Sequence, residues 1–448
     1  MAPFALKFSN RPASSHSKQT IKLVSMKESW LENANGFGLN HLPYGAFRAN
    51  GSTRLCVRIG DFVLDLAACA AGGLCDSLSP EVRDSLTKLT LNPLLSLGPP
   101  SWQALREWLT SVLREPGPDV EWYLHAIDEV ELALPIAIGN YTDFYASIHH
   151  ARRVGELFRP ENPLLPNYKH IPIGYHGRAS SIIASGTEVR RPWGQSRPTG
   201  DSSIPDFAPS AALDYEVELA LIVGQGNILG EPIPVGQASE HIFGVALLND
   251  WSARDIQSWE YQPLGPFLGK SFATSISPWI TPLAALEPFR VPSLARPAGD
   301  PAPVPYLHDN SDQIGGALDI RLTASLTTEA SRAVGAAPML LSSANSRDLY
   351  WTPAQLVAHH TSNGCNLQPG DILASGTISG AESSSAGCLL ELTRNGAEPL
   401  QLPNGEHRSW LHDGDEITLT AICERDGLHA LQLGSCTGRI APANSATP

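Results

Sequence analysis

The stretch Asp214-Tyr-Glu-Val-Glu-Leu-Ala-Leu-Ile-Val223 predicts a β-strand, because apolar residues dominate it up to the following glycine. On a strand, Glu216 and Glu218 point to one face, while Val217 and Leu219 point to the other. Two like charges on one strand face repel each other unless a cation lies between them. The pair therefore predicts either a cation-binding face or an ordinary solvated strand face.

A second apolar run, Val245-Ala-Leu-Leu-Asn-Asp250, predicts a buried strand that ends on an acid. Beyond it, Arg254, Gln257 and Tyr261 follow at i, i+3 and i+7, so they share one face of a predicted helix. An acid at a strand end, followed by two strong donors and a phenol, suits an anionic ligand rich in oxygen. Asp250 alone fits a helix N-cap equally well, and only the combination favours a binding site.

Two further segments carry polar groups that are candidates for chemistry. Lys270 lies in a loop punctuated by glycines, where it is either an ordinary surface cation or a donor to a developing oxyanion. Asp143 precedes the pair His149-His150. A histidine acts as a base near neutral pH when a partner orients its ring. For His150 the candidate partner is Glu391, in the apolar run Leu389-Leu-Glu-Leu392, which we expect to be a strand.

The acids of these segments indicate a metal site. Carboxylate oxygens are hard ligands, and a set without cysteine favours Mg²⁺ or Ca²⁺ over zinc. Lys270 and Arg254 would bring four carboxylates and one divalent cation close to neutrality. The predicted carboxylate ligands are Asp143, Glu216, Glu218 and Asp250.

Length and composition limit the architecture. With 448 residues, the chain has room for two or three domains. It contains 38 glycines and 37 prolines, and only 17% of its residues are charged, so we expect a loop-rich, mainly β (α+β) protein that a second subunit partly covers. Residues 1–26 lack acids and are rich in serine, and we expect 1–30 to be a disordered extension. A first unit follows at 31–135, with a hairpin at Leu55–Leu66, and a second unit at 136–445 carries the polar segments.

Charge and hydropathy exclude several classes of protein. The net charge is −14, and no basic block stands out, which argues against nucleic acid and anionic membranes as partners. No apolar run approaches the length of about 18 residues that a membrane span needs. The seven cysteines include no C-x-x-C pair, which argues against a disulfide framework and indicates a reducing, cytoplasmic location.

Several motifs together resemble the fumarylacetoacetate hydrolase family in its eukaryotic two-domain form. The resemblance spans about residues 36–440. The motifs that carry it are Asn40–Gly45, Arg58–Leu66, Asp143–His150, Gly174–Ser181, Asp214–Glu218, Asn249–Gln257, Gly265–Phe272 and Ala374–Gly380.

The resemblance implies a fold and an activity. It implies a small SH3-like β-barrel followed by a mixed β-roll or β-sandwich catalytic domain, assembled as a homodimer. The implied activity is metal-dependent hydrolysis of the carbon–carbon bond of a small molecule, 4-fumarylacetoacetate, to fumarate and acetoacetate. This reaction is the last step of tyrosine and phenylalanine catabolism.

The resemblance also implies roles for individual residues. Catalysis would fall to His150 as general base, Glu391 as its orienting partner, and Arg254, Gln257 and Lys270 as donors. The residues implied to contact substrate are Tyr145, Arg159, Tyr175, Gln257, Tyr261 and Thr377. The residues implied at the Mg²⁺ or Ca²⁺ site are Asp143, Glu216, Glu218 and Asp250, with Lys270 and Thr274 at an associated position.

Two alternatives stay open at this point. A related enzyme of the family would decarboxylate or isomerise a different oxo-acid with the same metal, although the N-terminal motifs argue against it. A non-catalytic metal-binding homologue would be expected to lose His150 or Lys270, and both are present. The segment 1–30 and the proline-rich segment 291–305 have no counterpart in the resemblance.

Overall fold

The computed structural model describes residues 35–49, 51–117, 119–198, 200 and 203–445. The extension expected at 1–30 lies outside the described residues. The protein is a strand-rich α+β chain, as predicted, with a small N-terminal sheet and a larger unit in which a long curled sheet carries most of the strands. Within the described part of the chain, no helix has both the length and the apolar character needed to cross a membrane.

The predicted hairpin at Leu55–Leu66 forms the centre of the N-terminal sheet. The strands of this sheet are β1 (Tyr44–Ala49), β2 (Ser52–Ile59), β3 (Phe62–Asp65), β4 (Leu124–Ala126) and β5 (Glu131–Ala133). Gly60 occupies the turn between β2 and β3 with a φ of 55°, a conformation that glycine adopts without a steric penalty. The strand order is β4-β3-β2-β1-β5. The accompanying helices are α1 (Leu66–Ala71), α2 (Pro80–Leu86), α3 (Asn92–Ser96) and α4 (Pro99–Arg114).

The larger unit is built from short strands and short helices. Its strands are β6 (Tyr141–Phe144), β7 (Gly174–His176), β8 (Ile182–Ala184), β9 (Val189–Arg190), β10 (Trp193–Ser196), β11 (Asp206–Pro209), β12 (Leu213–Asp214), β13 (Val217–Val223), β14 (Ile242–Asp250), β15 (Ser252–Ala253), β16 (Thr274–Ile276), β17 (Thr281–Pro282), β18 (Arg290–Val291), β19 (Ala317–Leu318), β20 (Arg321–Thr327), β21 (Met339–Asn345), β22 (Ile372–Ala374), β23 (Leu400–Gln401), β24 (His407–Arg408), β25 (Glu416–Cys423) and β26 (Leu431–Ala441). Its helices are α5 (Ile148–Phe158), α6 (Arg254–Glu260), α7 (Leu283–Leu286), α8 (Asn310–Gly315), α9 (Glu329–Ala333), α10 (Pro353–Thr361) and α11 (Leu389–Leu392).

Strands β13 and β14 lie in the middle of the main sheet, whose order is β7-β6-β22-β13-β14-β16-β8. Along β13, Val217 and Leu219 belong to a core that they share with Leu322 of the second sheet, of order β21-β20-β25-β26-β9. The alternating residues Ala220 and Ile222 belong to the core shared with the N-terminal unit. Both faces of these strands are therefore buried, which is why they are almost continuously apolar.

Backbone contacts join the N-terminal unit to the larger one. Tyr44 and Ile280 exchange two hydrogen bonds, with N···O distances of 2.9 and 2.8 Å. Beside them, Gly45 lies so close to the ring of Trp279 that a Cβ would come within 2.4 Å of it. The N-terminal unit thus packs on the main sheet, and the core that they share includes Ala220 and Ile222 of β13.

Candidate active site

The main sheet brings four acids together from three strands and the residue before one of them. Asp143 lies on β6, Glu216 directly before β13, Glu218 on β13, and Asp250 at the end of β14. Each of the four carboxylates has one oxygen atom that lies within 4.8 Å of an oxygen atom of each of the other three. None of the four residues is more than 4% exposed. We call these residues the carboxylate cluster. Burial at this level shows that the solvated-face interpretation of Glu216 and Glu218 is wrong.

Several oxygens of the cluster have no protein donor. Oδ1 of Asp143 and both carboxylate oxygens of Glu218 find no hydrogen-bond partner within the part of the chain that the structure describes. Burial, together with the neighbouring carboxylates, raises the pKa of Asp143 and of Glu218 well above the usual range. Buried oxygens without donors are costly unless something cationic satisfies them. These residues therefore fit a hard metal cation, whose preferred ligands are carboxylate oxygens.

Lys270 lies against the cluster and is not a surface cation, since it is 6% exposed. Its Nζ donates to Oδ2 of Asp250 over 2.6 Å and also donates to Glu216. Burial alone would lower the pKa of Lys270, but these two acids raise it above its ordinary value. In turn, Lys270 and Arg254 overcome the effect of burial and lower the pKa of Glu216. The ammonium group is thus the cationic neighbour that the sequence predicted for this site.

Asp250 accepts hydrogen bonds from side chains on three sides. Besides Lys270, the hydroxyl of Tyr175 donates to Oδ2 and that of Thr274 to Oδ1, each over 3.0 Å. Helix α6 begins after Ala253 without a side-chain cap, so the interpretation of Asp250 as its N-cap is wrong. Thr274 and Tyr175 contact the carboxylate of Asp250, and their predicted roles toward metal and substrate stay predictions.

His150 and Glu391 form a buried pair beside the cluster. His150 lies in the first turn of α5, where the N-cap Ser147 accepts a hydrogen bond from its backbone N–H over 3.3 Å. Its Nδ1 lies 2.7 Å from Oε1 of Glu391. A carboxylate only accepts hydrogen bonds, so Nδ1 carries the proton and Nε2 is left as the basic nitrogen. His149 is half-buried and lies about 100° further around the helix.

Glu391 lies on a short helix, so the expectation of a strand at Leu389–Leu392 is wrong. The four residues form α11, because the N–H groups of its first turn donate to the side chain of Asp214 and not to a neighbouring strand. An apolar run of four residues does not by itself distinguish the two structures.

The ionisation of Glu391 is fixed by its donors. Burial alone would raise the pKa of Glu391, but His150, Ser379 and Arg153 together lower it to about 2. Ser379 donates to Oε1 over 2.7 Å and Arg153 to Oε2 over 3.0 Å. Glu391 is therefore a carboxylate at neutral pH and can hold the His150 ring.

The residues predicted to donate to the oxyanion or to contact substrate differ in their contacts and in their exposure. Nη1 of Arg254 donates to Oε1 of Gln257 over 3.1 Å. The amide NH₂ of Gln257 therefore points away from the guanidinium of Arg254. Tyr145 meets the ring of His150 edge-on at 5.2 Å between centroids. Thr377 is buried and lies three residues beyond the end of β22, and Tyr261, the C-cap of α6, is 38% exposed.

Arg159 is the C-cap of α5, and its Nη2 donates to the carbonyl of Pro163 over 3.3 Å. Burial raises the pKa of Tyr145, and the charge of Arg159 partly opposes that effect, so the guanidinium lies near this phenol. The predicted contact of Arg159 with substrate stays a prediction.

Sequence reasoning missed three residues at the site. Arg153 follows His150 at i+3 on α5, and that helical spacing was the available signal. Ser379 lies within the Ala374–Gly380 motif. The hydroxyl of Tyr141 is buried, finds no acceptor among the described residues, and lies on the same face of β6 as Asp143 because the two are separated by one residue.

A buried carboxylate cluster beside an oriented histidine is typical of the active site of a hydrolase that uses a bound metal ion. Two family models match the chain: Fumarylacetoacetase N-terminal over residues 40–135, and Fumarylacetoacetate (FAA) hydrolase C-terminal over residues 140–441. The chain belongs to the fumarylacetoacetate hydrolase family, whose members are metal-dependent enzymes.

Curated relatives match nearly the whole chain. The fumarylacetoacetase of Arabidopsis thaliana is 48% identical over 418 residues, which cover 91% of this chain and 96% of that protein. The Homo sapiens fumarylacetoacetase is 45% identical over 424 residues, with the same coverage of 91% and 96%. Among solved structures, fumarylacetoacetate hydrolase from the psychrophilic Exiguobacterium antarcticum has a TM-score of 0.50 at 18% identity, covering 90% of this chain and 99% of that one. That last likeness concerns the fold alone.

Proposed function

We propose that the protein hydrolyses 4-fumarylacetoacetate to fumarate and acetoacetate, the last step of tyrosine and phenylalanine catabolism, with Mg²⁺ or Ca²⁺ at the carboxylate cluster. The observation that carries the proposal is the His150–Glu391 pair beside four buried carboxylates, in a chain 48% identical to a fumarylacetoacetase. Asp143, Glu216, Glu218 and Asp250 hold the cation. When bound, the cation supplies Lewis-acid stabilisation for the negative charge that develops on the oxygens of the 1,3-diketone.

The side chains of this protein carry the proton and stabilise the oxyanion. His150 removes a proton from water at Nε2, while Glu391 stabilises the resulting imidazolium through Nδ1. The hydroxide adds to the carbonyl carbon of the fumaryl group, and Arg254, Gln257 and Lys270 donate to the oxyanion. When the carbon–carbon bond breaks, its electron pair leaves with the acetoacetate fragment, which takes up the proton from His150. Water and substrate thus account for both products.

A substrate comparison tests this proposal. The purified protein with added Mg²⁺ or Ca²⁺ is mixed with fumarylacetoacetate, and the loss of substrate absorbance is followed while fumarate and acetoacetate are quantified. We expect equal amounts of the two products and slower turnover of other oxo-acids. Decarboxylation or isomerisation of a different oxo-acid, without cleavage of fumarylacetoacetate, would contradict the proposal.

We extend the proposal to assembly and location. A homodimer is supported by apolar side chains that are exposed in the segment after α6, namely Leu264, Phe267 and Leu268. Light scattering in solution tests it, and a monomeric mass at micromolar concentration would contradict it. A cytoplasmic location is supported by the free state of all seven cysteines. Fractionation of the source cells tests that location.

A further inference from the structure

Asp214 lies between Arg254 and the start of helix α11, and its side chain contacts both. It is 0% exposed. Its Oδ1 accepts the backbone N–H groups of Leu389, over 2.7 Å, and of Tyr215, over 2.8 Å. Its Oδ2 accepts the N–H of Leu390 over 3.0 Å and Nε of Arg254 over 2.9 Å. The carboxylate is thus fully used by donors from three separate segments.

One half of this arrangement fixes Arg254. The guanidinium is buried, and its Nη2 lies 2.9 Å from both Asp214 Oδ2 and Glu216 Oε1. With Asp214 on its Nε side, the planar group has one orientation, since a guanidinium presents its donors in a rigid fork. The remaining Nη1 then faces Gln257, the other donor of α6.

The other half fixes helix α11. Its N-cap, Cys388, makes no side-chain capping hydrogen bond. The carboxylate of Asp214 accepts the N–H groups of Leu389 and Leu390 in its place, which satisfies two donors that a helix start leaves unpaired. The next residue along the chain is Glu391, whose Oε1 holds His150. The position of Asp214 therefore sets where the partner of the base lies.

We infer that Asp214 is a positioning residue that holds the oxyanion donor Arg254 and the base partner Glu391 in register with each other. The inference rests on the proposed function, because both groups act in that reaction. It goes beyond a structural ion pair, since one carboxylate aligns two catalytic groups that lie far apart in sequence.

The chain contains a matched control for a purely structural role. Asp415 is also buried and accepts Nε of Arg408 over 2.8 Å, Nη2 over 3.1 Å, and the backbone N–H of His412 over 2.9 Å. It makes the same kind of contacts as Asp214, but its arginine belongs to the strand β24 and not to the active site. Asp415→Asn therefore reports what loss of such a buried pair costs in stability alone.

The test combines Asp214→Asn and Asp415→Asn with two double-mutant cycles. We expect Asp214→Asn to lower kcat roughly 10–100-fold, the usual effect of losing a group that orients a ligand or catalyst, and Asp415→Asn to leave it near wild type. Each is then combined with Arg254→Ala and with Glu391→Gln. A loss of folded enzyme multiplies kcat by the same factor in every background. If Asp214 acts by positioning, Asp214→Asn lowers kcat by a smaller factor in the Arg254→Ala and Glu391→Gln backgrounds than in the wild-type background.

The outcomes separate clearly. Multiplicative effects in both cycles, or a kcat for Asp214→Asn equal to that of Asp415→Asn, would overturn the inference. If Asp214→Asn does not fold, Asp214→Glu keeps the charge but lengthens the side chain; a reduced kcat in folded protein supports positioning, and wild-type kcat overturns it. Failure of the wild-type protein to cleave fumarylacetoacetate overturns the proposed function itself, which distinguishes the two failures.

Discussion

Nδ1 of His150 lies 2.7 Å from Oε1 of Glu391, and both side chains are buried beside the carboxylate cluster. This contact decides which nitrogen is basic, because Nδ1 keeps its proton and donates it in a hydrogen bond to the carboxylate, which leaves Nε2 as the nitrogen that accepts a proton. The catalytic role of the pair and of its neighbours leads to four predictions.

The first prediction separates His150 from His149. General-base assistance is worth about 10²–10⁴-fold, so His150→Ala lowers kcat by at least about two orders of magnitude while metal binding persists. His149→Ala is the matched control, because its half-buried ring lies on another side of α5. Steady-state kinetics and calorimetric metal binding check both variants. A severe loss at His149 with near-normal turnover at His150 would overturn the assignment.

The second prediction concerns the metal ligands of β13. Glu216→Gln and Glu218→Gln keep the shape of the side chain but remove a charge, so each weakens the binding of Mg²⁺ or Ca²⁺. Titration calorimetry on metal-stripped protein measures the change, and we expect it to exceed tenfold in the dissociation constant for each variant. Wild-type affinity in both variants would mean that the cluster does not hold the ion.

The third prediction concerns Lys270. Lys270→Met leaves Asp250 without its cation and leaves Glu216 with Arg254 alone, and breaking a buried ion pair costs about 3–5 kcal/mol of stability. Lys88→Met is the control, since Lys88 pairs with Asp84 on the surface and such pairs are worth about 0–1 kcal/mol. Denaturant unfolding of the metal-stripped proteins checks the difference. Equal losses in the two variants would show that Lys270 is not coupled to the cluster.

The fourth prediction uses the lowered pKa of Glu391. Its pKa falls from the ordinary 4.5 to about 2 in the folded state, so its stabilising contribution is complete above about pH 4.5 and is lost as the pH falls toward 2. Removing the carboxylate in Glu391→Gln makes the free energy of unfolding fall less steeply over that window than in wild type. Urea unfolding of metal-stripped protein at several pH values measures this slope. Parallel curves would show that Glu391 is not held as a carboxylate.

Local patterns in the sequence were sufficient for the residues that share one element. The period of a strand places Glu216 and Glu218 on one face, and the period of a helix places Arg254 beside Gln257. The turn at Gly60 follows from the conformational freedom of glycine. These features depend on neighbours only a few residues away, so the sequence alone predicts them.

Long-range contacts explain what the sequence left open. Whether Glu216 and Glu218 are solvated depends on side chains from distant segments that pack against them, among them Arg254 and Lys270, and no local pattern encodes these contacts. The apolar run at Leu389–Leu392 led to the expectation of a strand. The segment is the helix α11, whose start is capped by Asp214, and Asp214 lies 175 residues away from Leu389 along the chain. Arg153 and Ser379 likewise have a role at the site only because the fold places Glu391 within hydrogen-bond distance of both.

The central claim is that this chain cleaves its substrate with a cation held by the carboxylate cluster. The most direct measurement is to strip the protein of metal with EDTA and then titrate Mg²⁺ or Ca²⁺ while recording bound metal and fumarylacetoacetate turnover together. We predict negligible turnover in the stripped protein and a rate that rises in proportion to bound metal until each chain holds its ion. Full activity in a sample shown by elemental analysis to be free of metal would contradict the account.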